Sequence, residues 1–212
     1  IRKHTVEVLK KFKIGYADGG LLIHLEGKGF KRSEVQKSGL LNSAGKDLFN
    51  GSYVYPQYVR GEVSHFTQKD PLKKQKYQVK KEFWDKDWVG YNQDAMHEKE
   101  IVLCEGENDV LSVAGKGGFQ SAAALIGSIS EQQLEALPGY IKGKIVYPCF
   151  DRDEAGKKYE QAILQRYAGD EYDIRLINFE GAKDIDEALN LSSDPKAFFA
   201  SLISNAVKAP EA

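Results

Sequence analysis

Residues 101–106 read Ile-Val-Leu-Cys-Glu-Gly, a continuous apolar run that ends in a carboxylate and a glycine. Two later runs have a similar form, since residues 144–150 are followed by Asp151 and residues 173–179 lead to Asp184. Helical patterns separate these runs. Short apolar strands that alternate with helices are typical of parallel βαβ units with both faces of the sheet covered. The pattern predicts an α/β domain whose parallel sheet is flanked by helices.

Acidic residues follow three of the predicted strands at the point where each strand ends. In an open parallel sheet, ligand sites lie beyond the carboxyl ends of the strands. Carboxylates gathered there repel each other unless cations neutralise them, and oxygen ligands alone favour Mg²⁺ or Mn²⁺ over Zn²⁺. Taken singly, each residue also fits a solvated charge at a helix start. The candidate metal ligands are Glu105, Asp109, Asp151, Asp153, Asp184 and Asp186.

The first half of the chain predicts a mixture of α and β elements. It has two stretches with helical spacing, one short apolar run, two alternating stretches and one polar segment rich in lysine. These predict helices over residues 6–12 and 33–40, a strand over residues 21–25, a hairpin over residues 52–56 and 62–66, and an exposed loop over residues 67–81.

The charge is distributed unevenly along the chain. Residues 1–98 carry 18 Lys and Arg against 12 Asp and Glu, whereas residues 99–212 carry 12 against 19. A basic half beside an acidic half suits a protein that holds a polyanion and cations, although solvated surface charges would give the same counts. We expect a basic α+β subdomain over residues 1–98, a metal-binding domain over residues 99–190 and a C-terminal helical extension over residues 191–212.

Composition narrows the class of protein. With 42% hydrophobic and 29% charged residues, the 212-residue chain is expected to fold. No apolar run reaches the ~20 residues that span a bilayer, so we expect no membrane association. Cys104 and Cys149 lie in apolar runs, which predicts buried thiols in a reducing cytoplasm and no zinc site. The chain does not begin with Met, and we expect it to be a fragment of a longer protein.

Four segments of the second half resemble known motifs. Residues 104–111 resemble the EGxxD motif of the TOPRIM family, residues 150–156 resemble its DxDxAG motif, and residues 126–128 resemble the turn between them. Residues 183–189 resemble the acidic DPDE segment of bacterial-type primases. TOPRIM domains also occur in topoisomerases, recombination-mediator proteins and nucleases. The resemblance therefore implies metal-dependent nucleic-acid chemistry and leaves the reaction open.

The first half narrows the reaction, because its motifs resemble those of the bacterial-type primase catalytic core in the same order. Residues 12–17 resemble the "F.IGYA" opening, residues 55–63 the strand pair, residues 76–77 the "KYLN" segment and residues 83–86 a phosphate-contacting basic segment. The resemblance runs from residue 11 to about residue 203. This chain differs from the family at three places. The family has an Arg where this chain has residues 50–52, Gly-Gly-Arg where it has residues 67–69, and an Asn where it has residues 78–79. Such divergence suits a phage or plasmid primase or a primase-helicase.

The resemblance implies template-directed synthesis of short RNA primers, with Glu105, Asp151 and Asp153 as catalytic residues that hold Mg²⁺ or Mn²⁺. The implied nucleotide- or nucleic-acid-binding residues are Lys69, Lys73, Lys74, Lys76, Tyr77 and Lys86. The implied partners are a single-stranded DNA template, ribonucleoside triphosphates and a replicative helicase in cis or in trans. The implied location is the cytoplasm at the replication fork, or the host cytoplasm for a phage protein.

Two other functions stay open at this point. One is a TOPRIM nuclease or strand-passage enzyme, which would need a nucleophilic Tyr or an ATPase partner that the sequence does not reveal. The other is a non-catalytic DNA-binding module of a replicative helicase. The complete set of carboxylates argues against the second alternative, because clustered charges without metal ions would only destabilise the fold.

Overall fold

The computed structural model describes residues 3–72, 81–127, 129–169 and 171–210. Contacts between residues divide the chain into two compact units. Leu9–Trp88 form the first unit, and the described residues from Val89 onward form the second together with those before Leu9. The boundaries expected after residues 98 and 190 stay predictions.

The first unit contains a three-stranded antiparallel sheet in the order β1-β2-β3. Its strands are β1 (Gly15–Ala17), β2 (Ser52–Val59) and β3 (Glu62–Lys69). The β2–β3 connection is a two-residue turn in which Arg60 and Gly61 both have positive φ, at 53° and 79°. Such a turn matches the twist of the strands that it joins. The predicted hairpin is confirmed, and its strands are longer than the alternating pattern indicated.

The predicted strand over residues 21–25 is wrong, because these residues begin a helix. The helices in this part of the chain are α1 (Val6–Lys11), α2 (Leu21–Gly27) and α3 (Arg32–Lys37). The buried carboxylate of Asp47 accepts hydrogen bonds from the backbone N–H groups of Leu21 (2.7 Å) and Leu22 (3.3 Å). This satisfies two of the N–H groups that a helix start leaves open. The residue that caps α2 is therefore distant in sequence, and a short apolar run alone does not distinguish helix from strand.

The predicted exposed loop is also wrong at its beginning. Residues 67–69 belong to β3, and both Thr67 and Gln68 are buried. The hydroxyl of Thr67 accepts a hydrogen bond of 2.9 Å from the side-chain amide of Gln57 on β2. Thr67 can occupy a buried strand because the neighbouring strand supplies its hydrogen-bond partner, and the composition of one segment does not reveal that partner.

The second unit is built on a five-stranded sheet in the order β5-β4-β6-β7-β8. β4 pairs in parallel with β5 and β6, β6 pairs in parallel with β7, and β8 pairs antiparallel with β7. The strands are β4 (Glu100–Cys104), β5 (Ala122–Ala124), β6 (Ile145–Cys149), β7 (Asp173–Leu176) and β8 (Val207–Lys208). The predicted fold class is confirmed, and β4, β6 and β7 correspond to the three apolar runs predicted as strands.

Six helices accompany this sheet in the described residues. They are α4 (Glu107–Gly115), α5 (Glu131–Ala136), α6 (Pro138–Ile141), α7 (Glu154–Tyr167), α8 (Ile185–Leu191) and α9 (Pro195–Ser204). The side chain of Ser130 caps α5 by accepting a hydrogen bond from the backbone N–H of Gln133. Fully buried residues of β4, β5 and α7, such as Leu103, Ala123 and Ile163, lie in the core of this unit. In the part of the chain that the structure describes, no helix is both long and apolar enough to cross a membrane.

His65 lies in an aromatic cluster of the first unit. Its burial there makes the free energy of unfolding depend on pH. Its ring stacks on Trp84 at 4.0 Å and meets Trp88 edge-on at 4.9 Å, with only 2% of the residue exposed. Burial lowers the pKa of His65 to about 4. The unfolded chain therefore binds this proton more readily than the folded chain, so stability falls as the pH falls through 6.5 towards 4.

We expect the free energy of unfolding to fall by about 2 kcal/mol between pH 7.5 and pH 5 through His65 alone. Urea unfolding of wild type and of His65→Phe at both pH values measures this difference. His24→Phe, which removes an exposed histidine of α2, is the matched control and should keep the wild-type pH dependence. An equal pH dependence in His65→Phe and wild type would contradict the prediction.

Candidate metal centre

Two parallel strands bring the first pair of acidic segments to the same edge of the sheet. β4 and β6 are neighbours, and Cys104 lies opposite Cys149 where both strands end. Glu105 follows Cys104 directly, and Asp151 lies two residues beyond Cys149. The pKa of the Cys104 thiol is raised above its usual range. The causes are its hydrogen bond to Cys149, its burial and the nearby charges of Asp109 and Asp151. Both thiols are buried and reduced, as the sequence predicted.

The β4–α4 connection directs Glu105 and Asp109 towards this edge. Gly106 ends the strand segment and caps α4, and the backbone N–H of Asp109 donates to its carbonyl oxygen. A Cβ atom at Gly106 would lie 3.3 Å from Oδ2 of Asp109, so the buried Asp109 side chain folds back over the start of the helix. Oε2 of Glu105 is also shielded from solvent. Two carboxylates are thus held at the end of β4.

The β6–α7 connection is a tight turn that depends on Gly156. Asp153 caps α7, because its Oδ1 accepts a hydrogen bond of 2.9 Å from the backbone N–H of Gly156. A Cβ atom at Gly156 would lie 1.9 Å from the carbonyl oxygen of Asp151, so only glycine allows this approach. The glycine of the DxDxAG-like segment therefore sets the backbone position of both aspartates.

Arg152, between these two aspartates, connects the turn to the segment that follows β7. Its backbone N–H donates to the carbonyl oxygen of Lys183 at 2.7 Å, and its guanidinium donates to the carbonyl oxygen of Ile177 at 2.9 Å. The guanidinium carbon also lies 4.2 Å from the ring centre of Phe179, a cation–π contact. These contacts hold the second acidic segment next to the first.

The second acidic segment begins α8. Asp184 caps this helix through a 2.8 Å hydrogen bond from the backbone N–H of Glu187 to its Oδ1. Asp186 is buried and its Oδ1 accepts hydrogen bonds from Ser112 and Lys116 of the α4 region, each at 2.5 Å. The structure therefore joins α4 and α8 through a carboxylate that the sequence predicted as a metal ligand.

The donor set fits a hard divalent cation in its chemistry, since every predicted ligand is a carboxylate at the carboxyl end of a parallel strand or in the helix start that follows. Across residues 3–72, 81–127, 129–169 and 171–210, however, no three His, Cys, Asp or Glu side chains lie close enough to hold an ion. Three of the predicted ligands have partners within the protein: Asp153 and Asp184 cap helices, and Asp186 contacts Lys116.

Two of the predicted nucleic-acid-binding residues, Lys69 and Lys86, belong to the first unit. Lys69 is exposed at the end of β3, and Lys86 is exposed after a 3₁₀ turn (Lys81–Phe83). Trp84 and Trp88 pack against each other and against His65, which favours a packing role for their rings. Four predicted residues lie outside the described residues: Lys73, Lys74, Lys76 and Tyr77.

Sequence reasoning missed three residues that organise the site: Ser112, Lys116 and Arg152. The contacts of Ser112 and Lys116 with Asp186 join residues 74 and 70 positions apart, so no local spacing indicates them. Arg152 lies inside a recognisable acidic motif, and that position was the only feature of the sequence that could have indicated its role.

Comparison with known proteins finds a family that is similar to most of the second unit. A family described as Toprim-like matches residues 102–189, which include all six predicted metal ligands. Residues 102–189 are therefore similar to a Toprim-like domain. Outside this Toprim-like segment, the first unit is matched as well. The DNA primase of Synechococcus elongatus is 29% identical over 219 residues, which cover 91% of this chain and 31% of the relative.

Solved structures extend the comparison over both units. The Aquifex aeolicus primase, described by its zinc-binding and RNA polymerase domains, matches with a TM-score of 0.81 and 20% identity, covering 98% of this chain and 54% of that chain. A DnaG primase catalytic domain bound to single-stranded DNA matches with a TM-score of 0.74 and 21% identity, covering 98% and 69%. The chain has the fold of a bacterial-type primase core, as the motifs predicted. It spans less than a third of the length of the curated relatives that it matches first.

Proposed function

We propose that the chain is the catalytic core of a DNA primase, a DNA-directed RNA polymerase that makes short RNA primers on single-stranded DNA. One observation carries the proposal: the match to primase cores covers 98% of the chain and is not limited to the Toprim-like domain. Nucleases and topoisomerases that contain a TOPRIM domain would share the second unit alone. The first unit, with its β1-β2-β3 sheet, therefore favours primer synthesis.

In this proposal Glu105, Asp151 and Asp153 hold Mg²⁺ or Mn²⁺ and act as the catalytic residues. Asp109, Asp184 and Asp186 complete the acidic set. A bound divalent cation would orient the triphosphate and stabilise the attacking and leaving oxygens of an in-line displacement. The protein supplies the positions of the carboxylates, through Gly106 before α4, Gly156 in α7 and the contacts of Arg152.

The first unit supplies positive charge for the polyanionic substrates. Lys69 and Lys86 are exposed, which suits contacts with phosphates of the template or of the incoming nucleotide. We propose the same role for Lys73, Lys74, Lys76 and Tyr77, where Tyr77 would stack on an unpaired base. The proposed partners are single-stranded DNA, ribonucleoside triphosphates and a replicative helicase. The proposed location is the cytoplasm, at the replication fork.

The test is incorporation of labelled ribonucleotides by the 212-residue chain on single-stranded DNA, with Mg²⁺ and with Mn²⁺ in parallel reactions. We expect short RNA products that depend on the template and disappear with EDTA. A second template with an annealed RNA primer bypasses initiation, so a weak initiator still gives product. No product from either template would contradict the polymerase proposal. Cleavage of the template would then favour a nuclease, and binding alone would favour a DNA-binding module.

A further inference from the structure

Lys116 contacts Asp186 at the C-terminal end of α4. Its Nζ lies 2.5 Å from Oδ1 of Asp186, and the two side chains are only 14% and 9% exposed. The hydroxyl of the fully buried Ser112 donates to the same carboxylate oxygen. Nζ also donates to Oδ1 of Asn190 at 3.0 Å, while the amide of Asn190 donates to the backbone carbonyl of Asp186 at 2.7 Å. Lys116 and Asp186 are therefore held together from both sides.

This arrangement differs from an ordinary surface ion pair. Exposed pairs contribute little to stability because water screens both charges. A pair that is largely withdrawn from water attracts more strongly, and loss of one partner leaves a charge that is costly to bury. The negative charge of Asp186 is thus already balanced by a positive charge that belongs to the chain itself.

We propose that Lys116 is a built-in counter-ion of Asp186, which takes the place of a divalent cation at this carboxylate. The inference rests on the proposed metal-dependent function and refines the role of Asp186 within it. Lys116 weakens the affinity of the acidic edge for divalent ions, because its charge repels them and its contact occupies Oδ1 of Asp186. It also lets α4 and α8 stay packed when no metal ion is bound.

Replacing Lys116 with Met keeps an unbranched side chain, one atom shorter, and removes its charge. We expect Lys116→Met to bind Mn²⁺ about tenfold more tightly than wild type, because Asp186 becomes available and the repulsion is removed. In EDTA the same variant should unfold roughly 5–10 °C lower, since Asp186 then carries an unbalanced buried charge. Addition of Mn²⁺ should recover most of that loss.

The measurements are the loss of the free Mn²⁺ signal in electron paramagnetic resonance and the thermal midpoint with EDTA or Mn²⁺. The double variant Lys116→Met/Asp186→Asn restores a neutral pair, so its Mn²⁺ affinity should return to within about twofold of wild type. This double variant also keeps the test decisive if Lys116→Met alone does not fold. Lys142→Met removes the lysine of an exposed ion pair with Glu171 and should behave like wild type in both measurements.

Unchanged or weaker Mn²⁺ binding by Lys116→Met would overturn the inference. So would a double variant that binds Mn²⁺ far more weakly than wild type, because Asp186 would then be a ligand despite Lys116. Neither readout depends on RNA synthesis. If Lys116→Met binds Mn²⁺ more tightly and no RNA is made, the primase proposal fails and the role of Lys116 stands. If wild type binds no Mn²⁺, the metal site and the role of Lys116 fail together.

Discussion

Asp153→Asn is expected to lower ribonucleotide incorporation by roughly 1,000-fold or more while α7 stays folded. Asn is as good a helix cap as Asp, so the hydrogen bond from the backbone N–H of Gly156 can be kept. The substitution removes a charge that the proposed chemistry needs for holding a divalent cation. Asp151→Asn should have an effect of the same size, because Asp151 lies at the end of β6 beside the end of β4.

Incorporation is measured on the primed template, where initiation does not limit the rate, and circular dichroism checks the fold. Glu154→Gln is the matched control, since Glu154 directly follows Asp153 and its exposed carboxylate pairs with Lys158. We expect Glu154→Gln to retain wild-type activity within about twofold, because exposed pairs of this kind contribute little. Activity of Asp151→Asn and Asp153→Asn close to that of Glu154→Gln would remove both aspartates from the proposed metal site.

Gly156→Ala is expected to have the largest effect of any single methyl group added to the second unit. The new Cβ atom would lie 1.9 Å from the carbonyl oxygen of Asp151, well inside any allowed contact, and the opposing atom is backbone. The β6–α7 turn must therefore open, at a cost of several kcal/mol by analogy with overpacked cores. The displacement of Asp151 and Asp153 should lower incorporation by about 100-fold or more.

Thermal unfolding and primed incorporation both report on this change. Gly139→Ala in α6 is the control, because a Cβ atom there meets no atom within 4 Å and alanine favours a helix over glycine. It should leave activity unchanged and stability equal or slightly higher. If Gly156→Ala were as stable and active as Gly139→Ala, the turn would have more room than the structure gives it.

The sheet of the second unit could be predicted from the sequence because its signals are local. Continuous apolar runs mark β4 and β6, and a carboxylate follows each run. The parallel arrangement then places Glu105 and Asp151 at one edge without further information. The hairpin β2–β3 was equally visible, since alternation and a turn glycine are also properties of neighbouring residues.

Features that depend on distant residues could not be predicted in this way. The helix α2 is capped by Asp47, which lies 26 positions after Leu21. The ion pair between Lys116 and Asp186 crosses 70 positions, and each residue alone resembles an ordinary surface charge. A tertiary contact of this kind decides whether a carboxylate is exposed, caps a helix or meets a lysine. The residue types and their spacing do not show which of these three environments a carboxylate has.

The contacts of Arg152 have a consequence for how the site would tolerate change. A backbone hydrogen bond, a guanidinium hydrogen bond and a ring contact attach the turn after β6 to the segment after β7. Substitution of Arg152 removes the two side-chain attachments and leaves the backbone one. The backbone hydrogen bond therefore still joins the two segments after the side-chain contacts are lost, so the loss is partial. Substitutions at position 152 would therefore make the positions of the carboxylates less fixed, while the two segments would stay joined through the backbone.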